Sequence, residues 1–316
     1  MQVNADLGRA LRALVVATGC AVFAWALSSC GASSPEASGS GTGDAVALEE
    51  YRIDTDLINE SSGLARSQVD PQLLWTHNDS GGAATAYAVD HAGHYQGSLK
   101  LNLAANLDWE DMTSFVEDGQ PRLLLADIGD NSAFRPVVTL YIVDEPDTTQ
   151  LSRPFELSAT PVRTITLIYP DGPRDAESIA VDAAEGSVYL LSKRDAVPQL
   201  YRVPLAPTVP LVVAEALGEI AIPRAPDGSA DPEQINWTTS MDINAAADAL
   251  VVVSLSQAHV YHRVADESWL QSMQRSPVSL DLPEYPQIEA VAWDDAGELW
   301  ITSEGEPAPL ARLHLH

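Results

Sequence analysis

From Val46 onward the chain alternates short apolar runs with clusters of Gly, Asp, Asn and Pro. Runs of this kind, bounded by turn formers, predict β-strands. No segment keeps apolar residues at helical spacing over a long stretch, so no long helix is predicted. One unit recurs: an acidic residue, a small or apolar stretch, a turn, then a β-rich run. Five copies align, with anchors at residues 60, 110, 177, 239 and 289. They are Glu60-Ser-Ser-Gly-Leu-Ala with Gln72-Leu-Leu-Trp-Thr-His-Asn-Asp, Glu110-Asp-Met-Thr-Ser-Phe with Arg122-Leu-Leu-Leu-Ala-Asp, and Glu177-Ser-Ile-Ala-Val-Asp with Ser187-Val-Tyr-Leu-Leu-Ser-Lys. The last two are Thr239-Ser-Met-Asp-Ile-Asn with Leu250-Val-Val-Val-Ser-Leu, and Glu289-Ala-Val-Ala-Trp-Asp with Glu298-Leu-Trp-Ile-Thr-Ser-Glu. A third run follows each pair, and Tyr87, Tyr141, Tyr201 and Tyr261 hold the same place in four of them. Fourth strands fit at 97–103, 163–169, 211–222 and 278–282.

Each interval has room for four short strands and their turns. The last copy stops after its third strand, and a spare strand at 45–55 precedes the first anchor. A strand lent from the N-terminus to the last sheet closes a ring and removes an exposed edge. The expected fold is therefore all-β: a single five-bladed β-propeller over residues 46–316, closed by its N-terminal strand. Six blades is the alternative count, because the intervals between anchors 110, 177 and 239 are long. A β-sandwich is the alternative architecture.

Composition adds the surroundings. The 316-residue chain carries a net charge of −28 and 46% hydrophobic residues, enough for a large core under an acidic surface. Only Lys100 and Lys193 are lysines. Such a chain repels phosphate backbones, so no nucleic-acid partner is expected. The segment before the domain reads as an export signal: Arg9 and Arg12, then an apolar run from Ala13 to Leu27 that is short for a membrane span. It ends in Leu27-Ser28-Ser29-Cys30, a lipobox-like sequence. Residues 1–29 are thus expected to be a lipoprotein signal peptide, and 30–45 a lipidated Cys30 with a small, polar tether. Gly31 stands where an Asp would retain a lipoprotein at the inner membrane, so a periplasm-facing outer membrane or the cell surface is the expected location. Lipidated Cys30 is then the membrane contact. With Cys20 lost and Cys30 lipidated, the domain has no thiol, disulfide or cysteine metal site. A monomer is expected.

Acids at the start of one strand and the end of its antiparallel neighbour share one sheet edge. Glu60, Glu110, Glu177 and Glu289 form one column of the alignment, with Asp242 nearby in the fourth copy. Asp108, Asp127 and Asp130 gather around Glu110 in the richest copy, residues 107–131. Carboxylates converging on one channel mouth repel, and a hard cation relieves this; oxygen-only ligands favour Ca²⁺ ahead of Mg²⁺. The competing readings are that the acids hydrogen-bond neighbouring blades, or act directly in chemistry. Lys193 and Arg135 either pair with these acids or clamp an anion, and His77 is a candidate base.

Several segments together resemble a group of secreted bacterial β-propellers close to the phytase-like and "esterase-like activity of phytase" propellers. They are His77-Asn-Asp-Ser-Gly, Asp108-Trp-Glu-Asp, Asp127-Ile-Gly-Asp-Asn with Arg135, Tyr169-Pro-Asp-Gly-Pro-Arg-Asp-Ala-Glu177, and Thr302-Ser-Glu-Gly. The resemblance spans Glu60 to Leu315 and implies a propeller with an acidic channel site. In alkaline phytases calcium ions in such a channel bind substrate phosphates, but those ligands do not match here one by one. Two functions follow as expectations. One is a lipid-anchored module that binds an unknown ligand or protein at an acidic, calcium-loaded face. The other is a metal-dependent hydrolase of phosphoesters or lactones, with Glu110, Glu177, His77, Lys193 and Arg135 as catalytic candidates.

Overall fold

The computed structural model of the chain describes residues 47–223 and 237–315. The expected leader, Cys30 and tether lie outside the described residues. A first strand, β1 (Ala47–Arg52), precedes blade 1, which is built from β2 (Ser61–Arg66), β3 (Leu73–Asn78), β4 (Thr85–Asp90) and β5 (Tyr95–Leu101). Blade 2 holds β6 (Trp109–Glu117), β7 (Gln120–Asp127), β8 (Val138–Asp144) and, after β9 (Phe155–Ala159), β10 (Arg163–Ile168). Blade 3 holds β11 (Ala176–Asp182), β12 (Ser187–Ser192), β13 (Gln199–Pro204) and, after β14 (Val212–Val213), β15 (Glu215–Glu219). Blade 4 runs through β16 (Thr238–Ile243), β17 (Ala249–Ser254), β18 (Gln257–His262), a one-turn helix α1 (Trp269–Met273) and β19 (Val278–Asp281). Blade 5 is β20 (Ile288–Trp293), β21 (Leu299–Ser303) and β22 (Pro309–His314), with β1 paired antiparallel to β22 as its fourth strand. This is a five-bladed β-propeller, closed as the sequence predicts.

Among the described residues the long intervals hold no sixth blade. Instead β9 adds in parallel to β5 as an outer fifth strand of blade 1, and β14 adds in parallel to β10 of blade 2. The fourth strand expected at 211–222 is therefore two strands that serve different blades.

The hydrophobic residues explain the ring. Strand side chains alternate between the two faces of a sheet, and here both faces meet another blade. Along β17, Leu250 and Val252 pack with blade 3, while Ala249, Val251 and Val253 pack with blade 5. Five apolar clusters result, one between each pair of neighbouring blades. Three of the repeated tyrosines, Tyr141, Tyr201 and Tyr261, are buried in three different clusters, with Tyr87 packed at the edge of a fourth.

Two buried carboxylates pin the inner strands. Asp111 accepts hydrogen bonds from the amides of Met112 (2.9 Å), Ile179 (2.8 Å) and Met241 (3.2 Å) and from Ser240 Oγ (2.9 Å), joining blades 2, 3 and 4. Asp242 accepts from Thr113 Oγ1 and the Trp293 amide, both at 2.9 Å, joining blades 4, 2 and 5. The converging donors offset part of the desolvation, which still raises both carboxyls above their ordinary range.

Candidate metal centre at the channel mouth

Each innermost strand carries a register shift at the same place: between Ser61 and Gly63, Trp109 and Asp111, Ala176 and Ser178, Thr238 and Ser240, and Ile288 and Ala290. A bulge of this kind inserts one residue and re-aims its side chain. The inserted residues are Ser62, Glu110, Glu177, Thr239 and Glu289. The structure thus moves the first copy by two positions: Ser62, not Glu60, is the counterpart of Glu110. Ser62 Oγ donates to the Glu110 carbonyl and Thr239 Oγ1 to the Ile288 carbonyl, both at 2.9 Å, so the two hydroxyl members tie adjacent blades together. The three glutamates are buried at the mouth. Two residues before the bulge stand Glu60, Asp108, Asp175, Trp237 and Gln287. Just after the second strand stand Asp79, Ile128, Lys193, Leu255 and Glu304.

Two carboxylate groups form where these positions meet. Asp79, Asp108 and Glu110 offer oxygens all within 4.8 Å of one another, and so do Glu110, Asp175 and Glu177. Glu110 belongs to both. Gly129 makes room for them, since a β-carbon there would collide with the Glu110 and Asp108 carboxylates. The second group holds its own cations. The Lys193 ammonium pairs with Glu177, and Arg194 Nε lies 2.6 Å from Asp175. Trp237 backs both, with its ring 4.2 Å from the Arg194 guanidinium and 5.5 Å from Lys193 Nζ. Among the described residues the first group has no ion pair, and Asp79 Oδ1 has no hydrogen-bond partner. Glu289 is buried and its Oε1 is likewise unpartnered.

Burial and mutual repulsion leave these acids short of positive charge. Asp79 is pushed up to about 7, first by desolvation and then by Asp108, Glu289, Glu60 and Glu304. Glu110 lies well above the usual carboxylate range, through burial and then Glu177. Burial takes Glu177 to about 8 against the pull of Lys193. Asp108 and Glu289 are also raised by burial, opposed by Arg135 and Lys193 respectively. A divalent cation relieves this repulsion directly.

The remaining candidates sit elsewhere. Asp127 pairs with Arg135 at 2.6 Å and accepts the amides of Leu107 and Asp108, both at 3.3 Å. Asp130 accepts the Arg135 amide at 2.6 Å and donates its own amide to Asp175 Oδ1 at 2.8 Å. Arg135 Nη1 also donates to the Gly129 carbonyl at 2.5 Å. These three residues brace the loops that carry Asp108, Gly129 and Asp175. Asp242 lies in the pinning network described above, and Glu60 is exposed at the rim. His77 is fully buried beside Gly63 and edge-on to Trp109, with Nδ1 donating to the Asn78 carbonyl at 3.0 Å. Desolvation lowers it to about 4, so it stays neutral and enclosed.

Sequence reasoning left Asp79, Asp111 and Asp175 out of the metal set. A signal for Asp175 was present: Asp108-Trp-Glu110 and Asp175-Ala-Glu177 repeat one Asp-x-Glu spacing in consecutive copies.

No protein-family pattern matches the chain, and neither does any curated protein. Among solved structures it is similar to one described as the calcium structure of Trichoderma reesei Carbohydrate-Active Enzymes Family AA12, at 11% identity and a TM-score of 0.44, covering 86% of this chain and 97% of that one.

Proposed function

We propose that the protein is an exported, lipid-anchored β-propeller whose channel mouth holds one divalent cation, calcium, and uses it to bind a ligand. The observation that carries this reading is the Asp79–Asp108–Glu110 group: three oxygens within 4.8 Å from two blades, with no internal cation among the described residues and one buried oxygen unpartnered. Hard oxygen donors alone suit calcium, which tolerates irregular ligand geometry better than magnesium. A bound ion would offer its open positions to oxygen atoms of a ligand entering the mouth.

Calcium titration of the domain from Ala45, without the leader and Cys30, tests this. At a hundredfold excess over the dissociation constant, binding stabilises by about 2.7 kcal/mol, which raises the melting temperature by roughly 5–10 °C. Chelator should reverse the rise, and Glu110→Gln should abolish it. A melting temperature indifferent to millimolar calcium in the wild type sinks the reading. Anchoring is tested separately: Cys30→Ser should move the protein from the membrane to the soluble fraction, and persistent membrane association refutes it.

A second reading, a metal-dependent hydrolase of phosphoesters or lactones, is favoured by the buried Lys193 ammonium held one carboxylate away from the cation position. Such a charge is suited to a developing oxyanion. Turnover of a phosphomonoester, phytate or lactone that Glu110→Gln removes would support it, and absence of turnover on all three leaves the binding module.

A further inference from the structure

The two carboxylate groups are two copies of one design, and only one of them is complete. In the first, the residue after β3 of blade 1 (Asp79) meets the Asp-x-Glu of blade 2 (Asp108, Glu110). The same positions one blade on are Ile128, after β7 of blade 2, and the Asp-x-Glu of blade 3 (Asp175, Glu177). An apolar side chain therefore replaces the third acid of the second copy, and the group completes itself by sharing Glu110.

The second copy also holds cations of the chain's own. Glu177 is paired with the Lys193 ammonium, which is itself buried. Asp175 Oδ1 accepts the Asp130 amide at 2.8 Å, and its Oδ2 lies 2.6 Å from Arg194 Nε. A calcium ion needs carboxylate oxygens at about 2.3–2.6 Å, and the Lys193 ammonium stands at that approach to Glu177. Lys193 and Arg194 together bring the same two positive charges as one divalent ion. They are held over the same ring, Trp237. Among the described residues the mouth's oxygens without a hydrogen bond are Asp79 Oδ1, buried Glu289 Oε1 and Asp175 Oδ2, and of these only Asp175 Oδ2 has a cation of the chain beside it.

We infer that Lys193, supported by Arg194, occupies a second metal site of this mouth, so that the protein binds one divalent cation and its Lys193→Met variant binds two. The inference rests on the cation reading of the Asp79–Asp108–Glu110 group. It assigns Lys193 a positioning role: its ammonium holds Glu177, and through the shared Glu110 sets how many cations the mouth accepts.

The test is calcium stoichiometry by equilibrium dialysis or titration calorimetry on the full chain in detergent. Wild type should bind one ion and Lys193→Met two, with the second lost again in the Lys193→Met/Glu177→Gln double variant. Lys193→Arg, which keeps the charge, should stay at one. If Lys193→Met does not fold, Lys193→Gln removes the charge and keeps a polar head for Glu177. One ion of unchanged affinity in both wild type and the neutral variant overturns the inference and leaves the cation reading standing, as does two ions in wild type. No ion in wild type but one in the neutral variant upholds the role of Lys193 and overturns the reading of the first group. No ion in any variant overturns both.

Discussion

Glu110 is the residue on which both carboxylate groups depend, and its place depends on a residue without a side chain. Gly129 follows the second strand of blade 2 and lies where a methyl would strike the Glu110 and Asp108 carboxylates. Its carbonyl is gripped by Arg135, so the backbone has little freedom to retreat. Gly129→Ala should therefore displace the two acids instead of the loop. Overpacking of this kind costs about 1–3 kcal/mol. The expected outcome is calcium affinity weakened by about tenfold or more, with the fold retained by circular dichroism. Unchanged calcium affinity in Gly129→Ala would place the cation away from Glu110. The same loop explains why Asp127 and Asp130 read as ligands from sequence alone. They lie beside the site, but their oxygens hold Arg135 and backbone amides.

Strands were the most legible level of the chain, because each apolar run is buried between two blades and so reads as continuous. The third run of the first copy, marked by Tyr87, forms as β4. The tyrosine column also held, since most of those rings fill inter-blade clusters. What escaped was pairing that carries no pattern of its own. Phe155–Ala159 alternates buried and exposed side chains like any edge strand, and nothing in it names blade 1 as its partner. Val212–Val213 has two residues, too few for any period to show. The bulges escaped for a related reason. One inserted residue in β2 and its equivalents leaves the apolar pattern intact beyond it while turning a single side chain to the mouth. An alignment by acid type then chose Glu60, whereas the ladder chose Ser62. The glutamate column was readable and put Glu110, Glu177 and Glu289 at equivalent positions; the Asp-x-Glu spacing was the further trace, pointing to Asp175, and Asp79 had no such companion.

At the scale of the whole molecule, stability across pH is set by buried groups in opposition. His259 is enclosed in blade 4 with Nδ1 2.9 Å from Ser279 Oγ, and desolvation lowers it to about 4. The unfolded chain releases that imidazole to its ordinary value near 6.5. Between those values the unfolded state binds the extra proton, so this residue's contribution is intact above about 6.5, shrinks as pH falls, and is exhausted near 4. Asp242 works the other way. Burial, against the donors of Trp293 and Thr113, raises it to about 6, so the folded state holds its proton more readily and loses that advantage as pH rises through that value. The two slopes oppose each other, and the pH profile of the wild type alone cannot separate them. A difference between two chains can, because every other group titrates in both. His259→Gln removes one titration and keeps a polar head for Ser279. Its melting temperature, measured against wild type, should gain relative ground as pH drops from 7 to 4.5. With each pKa unit worth about 1.4 kcal/mol, the full relative shift is on the order of 3 kcal/mol. Parallel curves over that range would show that the imidazole is solvated in the folded state, and that blade 4 is open where the packing of β18 and β19 has it closed.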